Sequence, residues 1–298
     1  MFKRLKILAL AVLMACMLVL PAAVQAENQD MWAYVYSWTG GMNADGTLKL
    51  TRLTSGVTFK VLAVDADTSE TLTYYTKSTS LTNPVTTASF ADNTICNDMV
   101  SFRVDPTDAT NDRYVDLIVV DTNGGYTAFV EDFDKYQHSI VIDKRPNVLH
   151  QGCIWFAYNN NVETDTGVNF IADTFILDVW VEVVTVDATE TLDVGLLSSE
   201  TAGDANGLRA AVSVATAGFI TDTGIITNGA AIDYTAATTY GALLVTAITG
   251  SDAVTTNGGK SYIGHVVTGT NANSLTYTES AGGDTAAGYI FYQFIRGR

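Results

Sequence analysis

Short runs of alternating apolar and polar residues follow one another along the chain from about residue 30 onwards. A period of two puts every second side chain on one face of a β-strand, whereas a helix requires a period of 3.6. Asn123-Gly124-Gly125 separates two such runs and is typical of a tight hairpin turn. In the first half, strands are predicted at Trp32–Trp38, Leu48–Leu53, Val57–Val64, Thr71–Thr76, Met99–Val104, Tyr114–Val120, Tyr126–Val130 and Ser139–Ile142.

The pattern breaks between Asp143 and Gly152 and then resumes with further short strands. The run Phe175–Val186 predicts a long strand with one buried face. "GYIFYQFIRGR" is apolar at both sets of alternate positions, so we expect a central strand or one covered by a partner. One short helical turn is predicted at Ala205–Ala211.

The composition agrees with this pattern, because the chain is rich in Thr, Val, Ile, Tyr and Phe, which favour strands. Many short strands with frequent turns predict an all-β fold of two tandem β-sandwich domains, the second jelly-roll-like. We place a signal peptide at 1–26, the N-terminal sandwich at 27–146 and the C-terminal sandwich at 147–298.

The first residues have the pattern of a secretory signal. Lys3, Arg4 and Lys6 precede the apolar run Ile7–Leu20, and small residues up to Ala26 follow it. The run is shorter than the roughly 20 residues that span a bilayer. We therefore expect a secreted or cell-surface protein with no membrane span after cleavage.

The net charge of −16 repels nucleic acid and anionic lipid, so we expect neither as a partner. Two cysteines follow the signal peptide, Cys96 and Cys153. In an oxidising compartment they could form a disulfide. The alternative is that both are isolated buried thiols.

Catalytic motifs are absent from the sequence. His138, His150 and His265 are scattered, no G-x-S-x-G occurs, and the cysteines and histidines lack zinc-site spacing. A glycosidase needs only two carboxylates, and the sequence cannot select two from 32 acids. We predict that the protein is not an enzyme.

Calcium is the one metal that the sequence suggests, because it is bound by oxygen-rich loops. Such loops occur at Asn43–Gly46, Asp105–Asp112 and Glu200–Gly207. In the third, Glu200, Asp204 and Asn206 are the ligands that we would expect. The alternative is that these loops are ordinary turns, in which Asp, Asn and Gly are also common.

Two segments resemble structural modules of tailed phages. Tyr74–Asp121 contains Asn83-Pro84-Val85 and the strands "SFRV" and "YVDLIV", and it resembles a β-sandwich module of fibre and head-fibre proteins. Leu192–Gly218 and Ser274–Ile295 resemble a jelly-roll module of phage virion proteins. This resemblance implies a virion-like structural protein, here in a secreted form.

The sequence thus predicts a secreted, non-enzymatic structural protein that self-assembles as a homo-oligomer. The alternative is a cell-surface module that binds glycan or acts as an adhesin, with Trp155, Trp180 and Tyr240 as nominal contact residues. A carboxylate-dependent glycosidase is the third possibility.

Overall fold

A computed structural model describes residues 29–53, 58–65, 74–76, 91–94, 99–104, 114–134, 136–221, 224–226, 239–247, 260–262, 264–267, 272–280 and 285–297. All regular secondary structure within these ranges is β-strand, which confirms the all-β class. The predicted signal peptide, Cys96 and the loop 105–112 lie outside the described residues. Within the described ranges, no helix has the length and apolar character needed to cross a membrane.

The first half contains two sheets. One has the strand order β2-β1-β6-β4, with β9 pairing in parallel with β1, and the other has the order β5-β3-β7-β8. The strands are β1 Gln29–Met42, β2 Leu48–Arg52, β3 Thr58–Asp65, β4 Tyr74–Thr76, β5 Ala91–Thr94, β6 Met99–Val104, β7 Tyr114–Asp121, β8 Thr127–Asp134 and β9 Ser139–Asp143.

The second half contains two larger sheets and the small pair β18-β19. Their orders are β10-β22-β12-β15-β16, with β20 beside β12, and β11-β21-β13-β14-β17. The strands are β10 Leu149–Ala157, β11 Thr164–Phe170, β12 Thr174–Thr185, β13 Thr191–Leu196, β14 Asp204–Ser213, β15 Gly218–Thr221, β16 Gly224–Ile226, β17 Thr239–Tyr240, β18 Val245–Ala247, β19 Lys260–Tyr262, β20 His265–Val266, β21 Asn273–Glu279 and β22 Ala287–Arg296.

The two larger sheets of the second half pack face to face. Phe156 of one sheet meets Tyr277 of the other at 6.2 Å between ring centroids, and Phe170 meets Tyr292 at 5.3 Å. Alternate residues of β22 point into this layer, including Ile290 and Tyr292, which are fully buried. Two sheets packed in this way form a β-sandwich, as the sequence pattern predicted.

The long strand β12 has one buried face, as predicted, but a bulge changes its phase. Ile176 is buried before the bulge, and Val179, Val181 and Val183 are buried after it. The register shifts between Ile176 and Asp178, which lets two consecutive residues face outwards.

The predicted helical turn at Ala205–Ala211 is wrong. These residues belong to β14, which pairs with β13 through two register shifts. The shifts leave Gly207, Leu208 and Arg209 all buried in succession. Consecutive buried residues obscure the two-residue period by which a strand is recognised.

The two halves meet at the turn between β7 and β8. Gly124 and Gly125 have φ values of 105° and 70°, which confirms the predicted hairpin turn. Gly124 N–H donates to the carbonyl of Asn169 at 2.8 Å, so the turn contacts β11. The buried apolar residues of both halves form one continuous cluster. The division into two domains at residue 146 stays a prediction.

Candidate functional site

The predicted calcium loop at Glu200–Gly207 connects β13 to β14. The Glu200 carboxylate accepts hydrogen bonds from Ser274, with N–H to Oε2 at 2.6 Å and the hydroxyl to Oε1 at 3.1 Å. Asp204 instead accepts a weak hydrogen bond from the N–H of Asn206 at 3.4 Å. Glu200 therefore joins the connection between β13 and β14 to β21, while Asp204 and Asn206 already belong to β14.

Glycines allow the close approach that this corner requires. A Cβ atom on Gly195 would lie 2.0 Å from the carbonyl oxygen of Asp204. Among the described residues, no three Asp, Glu, His or Cys side chains are grouped as a metal site. Calcium binding by Glu200, Asp204 and Asn206 stays a prediction.

The loop at Asn43–Gly46 is held by its own hydrogen bonds. Asp45 Oδ1 accepts hydrogen bonds from both the N–H and the hydroxyl of Thr47, at 3.0 and 2.7 Å. These bonds lower the pKa of Asp45. Its geometry is that of an Asx turn, in which the aspartate bonds the backbone two residues ahead.

The three histidines lie before β9, in β10 and in β20. The ring of His150 is buried between Tyr126 and Phe294, and its Nε2 is 2.8 Å from the Arg145 carbonyl oxygen. His265 is half-buried in β20, where burial lowers its pKa. His138 is exposed before β9.

Cys153 is fully buried in β10 and has no disulfide partner among the described residues. Burial raises the pKa of this thiol well above its usual value, and the nearby Glu182 carboxyl raises it further. Because Cys96 lies outside the described residues, the disulfide between the two cysteines stays a prediction.

The outward side of the β10-β22-β12-β15 sheet carries a group of aromatic side chains, which we call the outer aromatic face. Trp155 and Tyr289 are direct partners across β10 and β22, and Trp180 and Phe291 are partners across β12 and β22. This face confirms that β22 is apolar on both sides and central in its sheet. Its members are Trp155, Trp180, Phe219, Tyr289 and Phe291.

Ring contacts connect all members of the outer aromatic face. Trp180 and Phe291 are stacked with 8° between their planes and 5.6 Å between centroids. Trp155 meets Tyr289 edge-on at 4.7 Å, and Phe219 lies 5.9 Å from Phe291. Much of the surface of each ring is therefore used on a neighbouring ring.

Two acids lie within this face. Asp178 Oδ1 accepts a hydrogen bond from Nη2 of the buried Arg209 at 3.3 Å. Glu182 is the cross-strand partner of both Tyr289 and Phe219, and burial raises the pKa of its carboxyl. Asp178 is thus paired with a cation, and burial disfavours the charged form of Glu182.

Of the predicted glycan contacts, Trp155 and Trp180 lie on the outer aromatic face. The fold thus places two residues that are distant in sequence on one surface. Tyr240 belongs to β17 in the opposite sheet, where it pairs with Arg209. Its side chain lies outside the described part of the chain. The structure therefore brings two of the three nominal residues together.

Two further acids lie inside the C-terminal sandwich, and the sequence reasoning missed them. Glu279 is 0% exposed and Glu190 is 2% exposed. Burial raises the pKa of Glu279 to about 7, and Glu190 and Asp187 contribute to this increase. The two-residue alternation of buried positions could have identified them, since Glu279 is two residues from Tyr277 and Glu190 is two residues from Leu192.

Comparison with known proteins adds little. No family model matches the chain, and no curated protein matches it. One similar solved structure is the infectious bursal disease virus VP2 subviral particle, with 12% identity over 92% of this chain and 69% of that chain. Its TM-score is 0.20, and at that value the similarity carries no argument about function.

Proposed function

We propose that the chain is a secreted, non-enzymatic structural protein that self-associates through the outer aromatic face. The observation that supports this proposal is the aromatic content of a sheet face that points away from the sandwich core. In antiparallel sandwiches the outer face is normally polar, because it contacts water. Large rings on such a face are typical of a surface covered by another protein.

Exposed apolar side chains surround the same face. Leu149 is 55% exposed at one end of β10, and Phe219 is 38% exposed in β15. Val266, beside β12, is 47% exposed. A partner that covers the rings would bury these side chains as well, so they extend the apolar surface beyond the aromatic cluster.

Charge favours a second copy as the partner on this face. The chain has a net charge of −16, so most pairs of surfaces on two copies repel each other. On the outer aromatic face, Asp178 is bonded to Arg209 and Glu182 is half-buried. Two acidic copies can meet there with little repulsion.

The alternative function is glycan binding, which is favoured by the placement of Trp155 and Trp180 on one face. Sugars bind aromatic residues by stacking on the flat surface of a ring. Here Trp180 is stacked on Phe291, which leaves less of the ring surface free for a sugar. This geometry favours a protein partner, and a glycan array with the purified protein tests the alternative.

The test compares two double variants by light scattering after size-exclusion chromatography. Leu149→Ser with Phe219→Ser changes the rim of the outer aromatic face. Met42→Ser with Leu50→Ser is the matched control, because Met42 and Leu50 are 57% and 38% exposed, like the first pair. Circular dichroism shows whether each variant is folded.

We expect the wild type and the control variant to assemble. The variant with Leu149→Ser and Phe219→Ser should dissociate at a protein concentration at least tenfold higher than the wild type does. A monomeric wild type at high concentration would contradict self-association. If the control variant dissociated as readily as the first variant, the interface would have to include the β1-β2 hairpin.

A further inference from the structure

The carboxyl groups of Glu190 and Glu279 lie at one end of the space between the two sheets of the C-terminal sandwich. Glu279 has the same strand phase as Leu275 and Tyr277, which point into the core. Glu190 has the same phase as Leu192. The side chains of both acids are therefore directed inwards rather than to solvent.

Backbone hydrogen bonds hold the two positions side by side. Ser280 N–H donates to the Thr191 carbonyl at 2.9 Å, and Thr191 N–H donates to the Ser280 hydroxyl at 2.9 Å. Thr191 follows Glu190 and Ser280 follows Glu279. These bonds hold the backbone next to both acids in place.

The hydrogen-bond partners of Glu279 do not compensate a full negative charge. Oε2 accepts one hydrogen bond, from the N–H of Asn159 at 3.2 Å. Oε1 has no hydrogen-bond partner within the described residues, although it is buried. A buried carboxylate without a cation is unfavourable, and protonation removes the charge.

The ionisable groups that act on Glu279 in the described structure are acidic. They are Glu190 and, from the loop before β13, Asp187. Tyr277, on the same strand, binds the Ala157 carbonyl through its hydroxyl at 3.1 Å. Negative neighbours in a dry space favour the protonated form of one carboxyl.

We infer that Glu279 keeps a proton in the folded protein beside Glu190, and that loss of this proton at rising pH weakens the C-terminal sandwich. In the unfolded chain both carboxyls titrate near the ordinary glutamate value, whereas folding retains a proton to about pH 7. Between these limits the folded state binds about one more proton than the unfolded state. The folding equilibrium constant therefore falls about tenfold per pH unit as the pH rises through this window.

The experiment measures thermal and urea unfolding of the mature chain from pH 4.5 to 8.5. Glu279→Gln and Glu190→Gln each remove one ionisable group of the pair while keeping its shape. Glu131→Gln, at an exposed site in β8, is the control. We expect wild type and control to lose stability together as the pH rises, and Glu279→Gln to lose about one proton less. Glu190→Gln removes a charge that raises the pKa of Glu279, so its total loss of stability should be smaller than that of wild type.

Infrared difference spectra give a second measurement that needs only wild type. A protonated buried carboxyl has its own carbonyl stretch, which should disappear as the folded protein is brought above pH 7. The inference is overturned if this band is absent at pH 5.5, or if Glu279→Gln retains the wild-type slope. It is also overturned if calcium restores wild-type stability at pH 8 but has no effect on Glu279→Gln, because the pair would then bind a cation.

Discussion

The Tyr292 hydroxyl donates a buried hydrogen bond to the Gly125 carbonyl at 2.8 Å, between residues 167 positions apart. Gly125 lies in the β7-β8 turn of the first half, and Tyr292 lies in the central strand of the C-terminal sandwich. Burial raises the pKa of Tyr292 far above its usual value, so the hydroxyl remains a donor at all physiological pH values. This bond directly links the cores of the two halves.

Tyr292→Phe should lower the free energy of unfolding by about 1–2 kcal/mol, because it leaves the Gly125 carbonyl without this partner. Urea unfolding measures the change. Tyr289→Phe is the matched control on the opposite side of the same strand, and we expect a smaller loss there. Equal losses in both variants would show that the hydrogen bond contributes little.

Gly152→Ala should destabilise the protein by about 1–3 kcal/mol through overpacking. A Cβ atom at this position would lie 2.1 Å from the Tyr292 ring, which is held by its hydroxyl bond and by Phe170. Gly297→Ala is the control, since its added Cβ would meet Asp173 at an ordinary 3.6 Å. Thermal melts of both variants test the prediction, which fails if Gly152→Ala has the same melting temperature as wild type.

Arg209→Met should lower the free energy of unfolding by about 3 kcal/mol. Arg209 is 1% exposed, and its guanidinium donates hydrogen bonds to the Val179 carbonyl and to Asp178. Arg145→Met removes a surface pair with Asp143 and should change stability by less than about 1 kcal/mol. Urea unfolding of both variants measures the difference. A loss at Arg145 as large as that at Arg209 would contradict this ranking.

Cys153 should resist thiol reagents in the folded protein. It is fully buried, and burial raises its pKa, so little reactive thiolate forms at neutral pH. Mass spectrometry after alkylation should find Cys153 unmodified in the native protein and modified in urea. Labelling at equal rates in both states would contradict the burial of this thiol in the native protein.

The sequence predicted most strands because side-chain alternation depends only on the strand's own residues. Met99–Val104 was predicted with the bounds that the structure has. Ala205–Ala211 was not recognised as strand, because register shifts in its pairing with β13 interrupt the alternation. Ala211 has a positive φ of 52°, which reflects the same irregular pairing. Such shifts depend on a partner strand that local sequence does not reveal.

The candidate sites were less predictable than the strands. The calcium prediction followed acid-rich loops, and their composition does not indicate that Glu200 accepts a hydrogen bond from Ser274. Glu190 and Glu279 lie in unremarkable sequence, and only strand pairing brings them together. Trp155 and Trp180 were named as separate residues, and the central strand β22 places them on one face. Long-range pairing decides which side chains meet, and composition does not.

The central position of β22 also affects the kinetics of folding. Its partners β10 and β12 are synthesised long before it. Leu149 of β10 and Phe175 of β12 both pair with Ile295 of β22. Until β22 arrives, these two strands expose unpaired edges and apolar surface. Contacts so distant in sequence make folding slow, and the incomplete sheet is prone to aggregate. Chaperone binding during synthesis would protect the chain over this interval.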